Sequence, residues 1–342
     1  MKILKKYVPF ILTTVGYIVL TTFIKTGNIT NLLKNLLVPL TCYIVVTIAL
    51  NLVVGISGEL SLGHAGFMSI GAFSAVITSG LLANYISSDF IRLIIAIIVG
   101  TIIAAIMGLL ISIPVLKLEG DYLAIVTLAF GQIIKGLLNN IYFGFDANGI
   151  HFSFVENKLS QINGVKMILA GPQGAVGTER LSNFTCGYVL ILITLFVVCN
   201  LIDSKKGREI IAVRDDKIAS ASVGVDVVKT KMLAFVISAA LAGAAGALYG
   251  LNYTTLTPAK FDYNQSIMIL VYVVFGGLGN ITGSIISTII LFILPELLRS
   301  LQDYRMLIYS IVLILMMLFT NNKTIQSFFD KLFSRRIKHE KE

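Results

Sequence analysis

The sequence contains no tryptophan, only three cysteines and few charged residues. Of its 342 residues, 13% are Asp, Glu, Lys or Arg and 56% are hydrophobic. A soluble domain usually carries about a quarter charged residues, so this composition excludes an ordinary soluble protein and indicates an integral membrane protein. Cys42, Cys186 and Cys199 lie in or beside apolar runs without metal-ligand spacing. We therefore interpret them as packing residues and expect no metal site.

The sequence also lacks the motifs of common catalytic and energy-coupling sites. No G-x-x-x-x-G-K-[ST] loop occurs, so the chain cannot by itself hydrolyse ATP in the P-loop manner. No acidic pair lies within an apolar run, which weakens the case for an ion-coupled carrier. Nothing resembles a Ser/His/Asp or Cys/His set, so we predict no catalytic residues and no enzyme.

Long apolar runs, separated by Gly, Pro and charged residues, make up most of the chain. About 20 apolar residues cross the hydrocarbon core, so we predict an all-α polytopic membrane helix bundle of about ten transmembrane helices. The expected spans are residues 7–24, 36–56, 60–83, 91–116, 121–140, 186–202, 232–251, 264–279, 281–298 and 305–321. Residues 1–322 would form this transmembrane domain, with an extracytoplasmic loop at about 141–185 that could fold as a small cap.

The distribution of positive charge sets the expected orientation. With the N-terminus inside, 17 of the 27 Lys and Arg residues fall in cytoplasmic segments, and nine fall in outside loops. This split favours cytoplasmic N- and C-termini, an uncleaved first span and a basic cytoplasmic tail at residues 323–342. Although the net charge is +9, its placement suits water and lipid headgroups, so we expect no nucleic-acid partner.

Residues Asp203–Lys231, here called the basic island, are charged and lie between two apolar runs. They contain seven Lys/Arg and five Asp/Glu. Such a loop must face water, and its positive excess places it on the cytoplasmic side. Apolar residues such as Ile210, Val213 and Ile218 alternate with the charges, as in a short helix with one face for a partner or for headgroups and one for water. Because the chain has no phosphate loop, we interpret the basic island as a docking surface for a separate motor.

The segment Asn51–Phe73 interrupts an apolar run with five glycines. A helix that breaks here exposes backbone groups that lipid cannot satisfy, so the break must be buried in protein or line a watery path. We interpret the segment as a broken or re-entrant part of a translocation pathway. Tight helix packing through small residues is the alternative, and a lone His is more often a structural group than a proton carrier. The candidate pathway residues are Asn51, Ser61, Gly63, His64 and Gly66.

A second glycine-rich stretch, FGGLGNITG at Phe275–Gly283, adds Gly276, Gly277 and Gly279 to the candidate pathway residues. Glycines at this density permit a tight turn or a close approach of two backbones. The G-x-G-x-x-G spacing and the strand–helix setting of a dinucleotide-binding loop are both absent, so we exclude that function.

Five segments together resemble the branched-chain amino-acid ABC transporter permeases, specifically the M-type (LivM-like) subunit. They are GELSLGHAGFMSIGAF (58–73), LEGDYLAIVTLAFGQIIK (118–135), GREIIAVRDDKIASASVGV (207–225), LAFVISAALAGAAGALYG (233–250) and FGGLGNITGSIIST (275–288). The resemblance implies a multi-pass permease in the cell membrane that pairs with a second, H-type permease. Two cytoplasmic P-loop ATPases, which would carry ATP and Mg²⁺, and an extracytoplasmic substrate-binding protein would complete the importer, with no cofactor on this chain.

The basic island resembles the family's cytoplasmic loop, which contacts the ATPases through a degenerate Glu-Ala-Ala…Gly motif. Ala219, Ser220 and Gly224 match that motif, whereas Ile218 occupies the acidic position. The chain departs from the family at three further positions, because Glu59, Gln132 and Lys135 replace a usual Gln, Glu and Arg. The residues expected to couple to the ATPases are Arg208, Arg214, Asp215, Ala219 and Gly224.

These observations predict a permease subunit that moves branched-chain or related apolar amino acids by alternating access, driven by separate ATPase subunits. Two alternatives stay open. A urea or short-chain amide ABC permease would share the same architecture. An ion-coupled secondary carrier or channel would belong to another class of transport protein.

Overall fold

The computed structural model describes residues 2–26, 31–83, 85–116, 120–146, 149–154 and 166–298, with single residues and pairs between 304 and 314. The predicted last span lies mostly outside these residues. The predicted basic tail at 323–342 lies wholly outside them.

The described residues form a helix bundle. Seven helices are long and apolar enough to cross a membrane, and two further apolar helices, α10 and α11, are shorter. The helices are α1 (Lys2–Lys25), α2 (Asn31–Asn51), α3 (His64–Leu82), α4 (Asp89–Val115), α5 (Asp121–Asn139), α6 (Phe184–Asp203), α7 (Lys205–Asp215), α8 (Lys217–Ser222), α9 (Val227–Gly250), α10 (Tyr263–Gly276) and α11 (Ile281–Leu297). The helical class agrees with the prediction, whereas the count of about ten spans and the location of the termini stay predictions.

Helices α3 and α9 pack so closely that their backbones touch. A Cβ atom at Gly71 would overlap the carbonyl of Gly243, and one at Gly246 would overlap the carbonyl of Met68. A larger residue at either position would push the helices apart, so small residues set their separation. His64 contacts Ser238 near the start of α3, while later residues of α3 meet later residues of α9. The two helices therefore run parallel, and α3 begins beside the middle of α9.

A small antiparallel sheet lies beyond the C-terminal ends of α3 and α9. Its strand order is β2-β1-β3-β4-β5. Register pairs include Phe143 with Phe152 and Leu169 with Ala175. The strands are β1 (Tyr142–Asp146), β2 (Gly149–Ser153), β3 (Lys166–Ala170), β4 (Ala175–Val176) and β5 (Thr255–Leu256). The described part of the 141–185 loop is thus an ordered cap, and we call this side of the bundle the sheet end.

The basic island lies at the opposite side, here called the island end. It consists of α7, α8, a turn and the first residues of α9. Each of these helices starts at a side-chain cap: Ser204 accepts from the N–H of Gly207, Asp216 from those of Ile218 and Ala219, and Asp226 from that of Lys229. These caps satisfy N–H groups that a helix start leaves unpaired. They also explain why α9 begins at Val227, five residues before the predicted span.

Candidate functional site

The helix that starts with α2 breaks within the glycine-rich segment. After Asn51 the chain forms one π-helical turn, Leu52–Ile56, and residues 57–63, here called the broken segment, have no regular structure before α3 begins at His64. Such a break frees backbone N–H and C=O groups inside an apolar environment, where each needs a partner. The position of the break agrees with the interruption that the sequence predicts.

Neighbouring helices satisfy the backbone groups around the break. The N–H of Leu62 donates to Thr127 Oγ1 of α5 at 2.9 Å, and the N–H of Ala65 donates to Ser266 Oγ of α10 at 3.3 Å. The N–H of Glu59 returns to the carbonyl of Val53 at 3.0 Å. The break is therefore bonded to at least two other helices, and four of its seven residues are buried, whereas Gly58 and Leu60 are exposed.

His64 joins three elements through hydroxyl groups. Its Nε2 lies 2.7 Å from Ser238 Oγ, and its Nδ1 lies 3.3 Å from Ser61 Oγ. Since the Ser238 hydroxyl donates to the carbonyl of Ala49 at 2.5 Å, its oxygen accepts from Nε2–H. Nδ1 then accepts from the Ser61 hydroxyl. The imidazole is buried and bonded on both nitrogens, which favours the structural interpretation of this lone histidine over proton transfer.

Asn51 connects the two glycine-rich stretches that the sequence singles out separately. Its Oδ1 accepts from the N–H of Gly279 at 2.8 Å, and its Nδ2 donates to Ser284 Oγ of α11 at 2.9 Å. Gly277 and Gly279 have φ values of +89° and +78°, which an L side chain rarely adopts, and they form the turn between α10 and α11. A Cβ atom at Gly55 would overlap the backbone of Gly279. The two stretches therefore meet at one place.

The other candidate pathway glycines also lie at close contacts. A Cβ atom at Gly63 would lie 2.7 Å from the carbonyl oxygen of Thr127, and one at Gly66 would lie 2.9 Å from Gly131 Cα. One at Gly276 would overlap the backbone of Ser284. Packing explains why glycine stands at these positions.

The island end contacts the break through Arg214 of α7. Its Nη1 donates to the carbonyl of Gly55 at 3.2 Å, so the side chain satisfies a carbonyl of the π-turn. Its aliphatic stem covers Gly58, where a Cβ atom would lie 2.6 Å from Arg214 Cγ. Arg214 also donates to Asp215 Oδ1 at 2.9 and 3.0 Å. Among the five predicted coupling residues, Arg214 is thus the one whose described contacts include the π-turn.

The remaining predicted coupling residues lie at the surface. Arg208 donates to the carbonyl of Asp203 at 3.2 Å, and Asp215 bonds to Arg214. Ala219 is exposed on α8, and Gly224, with φ +88°, forms the exposed turn that leads to α9.

Two features of the island end lie outside the residues predicted for coupling and for the pathway. Ile218 and Val223 are 84% and 79% exposed, an unusual position for large aliphatic side chains in a water-facing loop. Glu59 of the broken segment forms an ion pair with Lys231 of α9. The exposed apolar side chains could be inferred from the sequence, because charged residues surround them. The ion pair could not be inferred, because its two residues are 172 positions apart in the chain and leave no pattern in a single sequence.

Comparison with known proteins places the chain in a family. Residues 32–320 match the family model described as the branched-chain amino acid transport system / permease component. Over 225 residues, the chain is 34% identical to the high-affinity branched-chain amino acid transport system permease protein LivM of Salmonella typhimurium and 35% identical to that of Escherichia coli. Each match covers 61% of this chain and 52% of the relative, so the chain spans about half the length of these curated relatives. No solved structure matches.

Proposed function

Because the chain belongs to the family of branched-chain amino acid transport permease components, we propose that it is the membrane-spanning subunit of an ABC importer. The importer would lie in the cytoplasmic membrane and move branched-chain or related apolar amino acids inward. Separate ATPase subunits would supply the energy. The transport function described for the two LivM relatives, together with the apolar helices, supports this proposal.

The proposed assembly contains three further kinds of subunit. A second, H-type permease would complete the transmembrane part, two ATPases would bind at the island end, and a substrate-binding protein would deliver its ligand at the sheet end. The exposed part of the basic island supports the ATPase position. There Ile218 and Val223 would insert into an apolar groove of an ATPase, while the surrounding charges would orient the contact.

The contact of Arg214 with Gly55 carries the proposed mechanism. It joins the surface helix α7 directly to the π-turn, next to the broken segment and the Gly277–Asn280 turn. When ATP-bound ATPases close, they would move α7, and α7 would move the break through this bond. An ATPase pair can shift the equilibrium only if its affinity for the basic island differs between the inward- and outward-facing states.

Charge reversal at Arg214 tests this mechanism. In proteoliposomes that contain the complete importer, we expect Arg214→Glu to lower leucine uptake per ATP hydrolysed by roughly tenfold or more, because a charged hydrogen bond becomes a repulsion with the Gly55 carbonyl. The chain should still insert in the membrane. Lys206→Glu is the matched control, since it makes the same charge change on an exposed side chain of α7.

The outcomes separate the proposal from its alternatives. Equal uptake per ATP in the Arg214→Glu and wild-type importers would contradict the role of Arg214. Leucine uptake that persists without ATP, but with a membrane gradient, would indicate a secondary carrier or channel. Uptake of urea or a short-chain amide with no uptake of leucine would indicate the other ABC permease class.

A further inference from the structure

The ion pair between Glu59 and Lys231 lies at the island end of the break and has no part in the mechanism proposed above. The two side chains are only 10% and 6% exposed. Glu59 is the third residue of the broken segment, and its N–H is bonded to Val53 in the π-turn. Lys231 lies in the second turn of α9 and is the last residue of the basic island. The pair therefore joins the irregular segment to the parallel α3–α9 unit.

The basic island holds this stretch of chain at two separate points. Arg214 reaches Gly55 and covers Gly58 from α7, while Lys231 reaches Glu59 from α9. The stretch Gly55–Glu59 is thus held at its first and last residues by two cations of the basic island. A movement of α7 relative to α9 cannot leave both contacts intact, so the two contacts report on the position of the island.

We propose that Glu59 and Lys231 are positioning residues that hold the broken segment closed at the island end and release it when the island moves. This inference rests on the proposed function. Burial costs each ion much of its hydration, and their attraction in a poorly hydrated site offsets that cost. Movement that admits water would rehydrate both ions. A pair at the end of the bundle can therefore open and close with a small net change in free energy, and residues behind it, such as Ser61 and His64, would gain access to water.

Cysteine labelling tests the closing role without requiring transport. Ser57 is 3% exposed within the broken segment, so Ser57→Cys is a reporter of opening. The three native cysteines would first be replaced by alanine. With a membrane-impermeant maleimide on the purified chain, we expect Glu59→Gln to raise the labelling rate of the reporter by roughly tenfold, because the buried Lys231 loses its counter-ion. Glu209→Gln breaks the exposed Lys206–Glu209 pair and should leave the rate unchanged.

A double-mutant cycle shows whether the two residues act as a pair. Lys231→Met should also speed labelling, since it leaves the carboxylate of Glu59 unpaired. Removing both charges leaves no unpaired ion, so the double variant Glu59→Gln/Lys231→Met should label no faster than the faster single variant. Rates that multiply in the double variant would overturn the inference. An equal labelling rate in the wild type and in both single variants would also overturn it.

Transport by the complete importer tests what the pair is for. We expect Glu59→Gln to lower leucine uptake per ATP hydrolysed by roughly tenfold, because a segment that stays open no longer follows the island. Faster labelling with unchanged uptake per ATP would overturn the positioning role while the proposed function stands. A wild-type importer that takes up no leucine, urea or amide would instead contradict the proposed function, and the labelling result would still decide whether the pair closes the segment.

Discussion

At the sheet end of the bundle, Arg92 of α4 is 5% exposed and pairs with Asp89 and with Glu179 of the loop before α6. At the island end, Lys231 is similarly buried and pairs with Glu59. The carboxylates differ. Those of Asp89 and Glu179 are 76% and 63% exposed, whereas that of Glu59 is 10% exposed. The structural elements that the two cations connect differ as well. Arg92 connects the start of α4 to the loop before α6, whereas Lys231 connects α9 to the broken segment.

This difference assigns different tasks to the two ends. Exposed carboxylates keep most of their hydration, so the pairs of Arg92 fasten the loop to α4 with a modest gain in free energy. A pair with both ions buried is more sensitive to geometry, because either ion is costly to leave alone. The sheet end is therefore suited to static attachment, whereas the island end is suited to transmit movement.

The largest expected effect concerns the helices that connect the two ends. Gly71→Val would drive a side chain into the backbone of Gly243, and neither backbone can move aside without separating α3 from α9. We expect a loss of about 3 kcal/mol or more in the free energy of unfolding, seen as loss of a monodisperse protein in detergent. Gly136→Ala on α5 is the control, since no atom lies within 4 Å of a Cβ atom there. Normal folding of Gly71→Val would show that the ends are not joined through a close-packed α3–α9 unit.

The next effect compares one substitution at both ends. Gly224 of the basic island and Gly177 near the sheet have φ values of +88° and +73°, and both lie in open space. Proline, with φ fixed near −65°, would rebuild either turn. We expect Gly224→Pro to abolish uptake per ATP without preventing membrane insertion, whereas Gly177→Pro should lower stability alone. Equal loss of uptake in the two variants would remove the functional distinction between the ends.

The smallest effect concerns the carboxylate at the sheet end. Glu179→Gln removes one partner of Arg92, which keeps Asp89 at 3.0 Å. We expect a loss of about 1 kcal/mol in the free energy of unfolding, measured by thermal unfolding in detergent, and no change in uptake per ATP. A fall in uptake per ATP like that expected for Glu59→Gln would contradict the static role of this end.

The sequence predicts the helices better than their contacts. Apolar runs locate the described spans to within a few residues, because a membrane helix must satisfy its backbone internally over about 20 residues. The break at 57–63 is also predictable from its glycines. The sheet is not, since its strands have only two to five residues and mix glycine with polar and aromatic residues.

The site was predictable in its parts but not in its connections. Asn51 and Gly279 were both selected, yet their hydrogen bond joins residues 228 positions apart. Arg214 is predicted to dock a partner, and the structure also places its guanidinium against the carbonyl of Gly55. The composition of a loop indicates that it faces water. It does not indicate which of its long side chains turn back toward the bundle.

The contact of α3 with α9 through Gly71 and Gly246 limits how the protein can change shape. Helices that are separated by side chains can shift slightly when those side chains change rotamer. The backbones of α3 and α9 are in direct contact, so no side-chain adjustment can accommodate such a shift. They must travel as one rigid body. A change in the position of this pair then has to occur outside the pair, and residues 57–63, which precede α3, are one place for it. Gly71 and Gly246, which lack side chains, therefore determine where the bundle cannot bend.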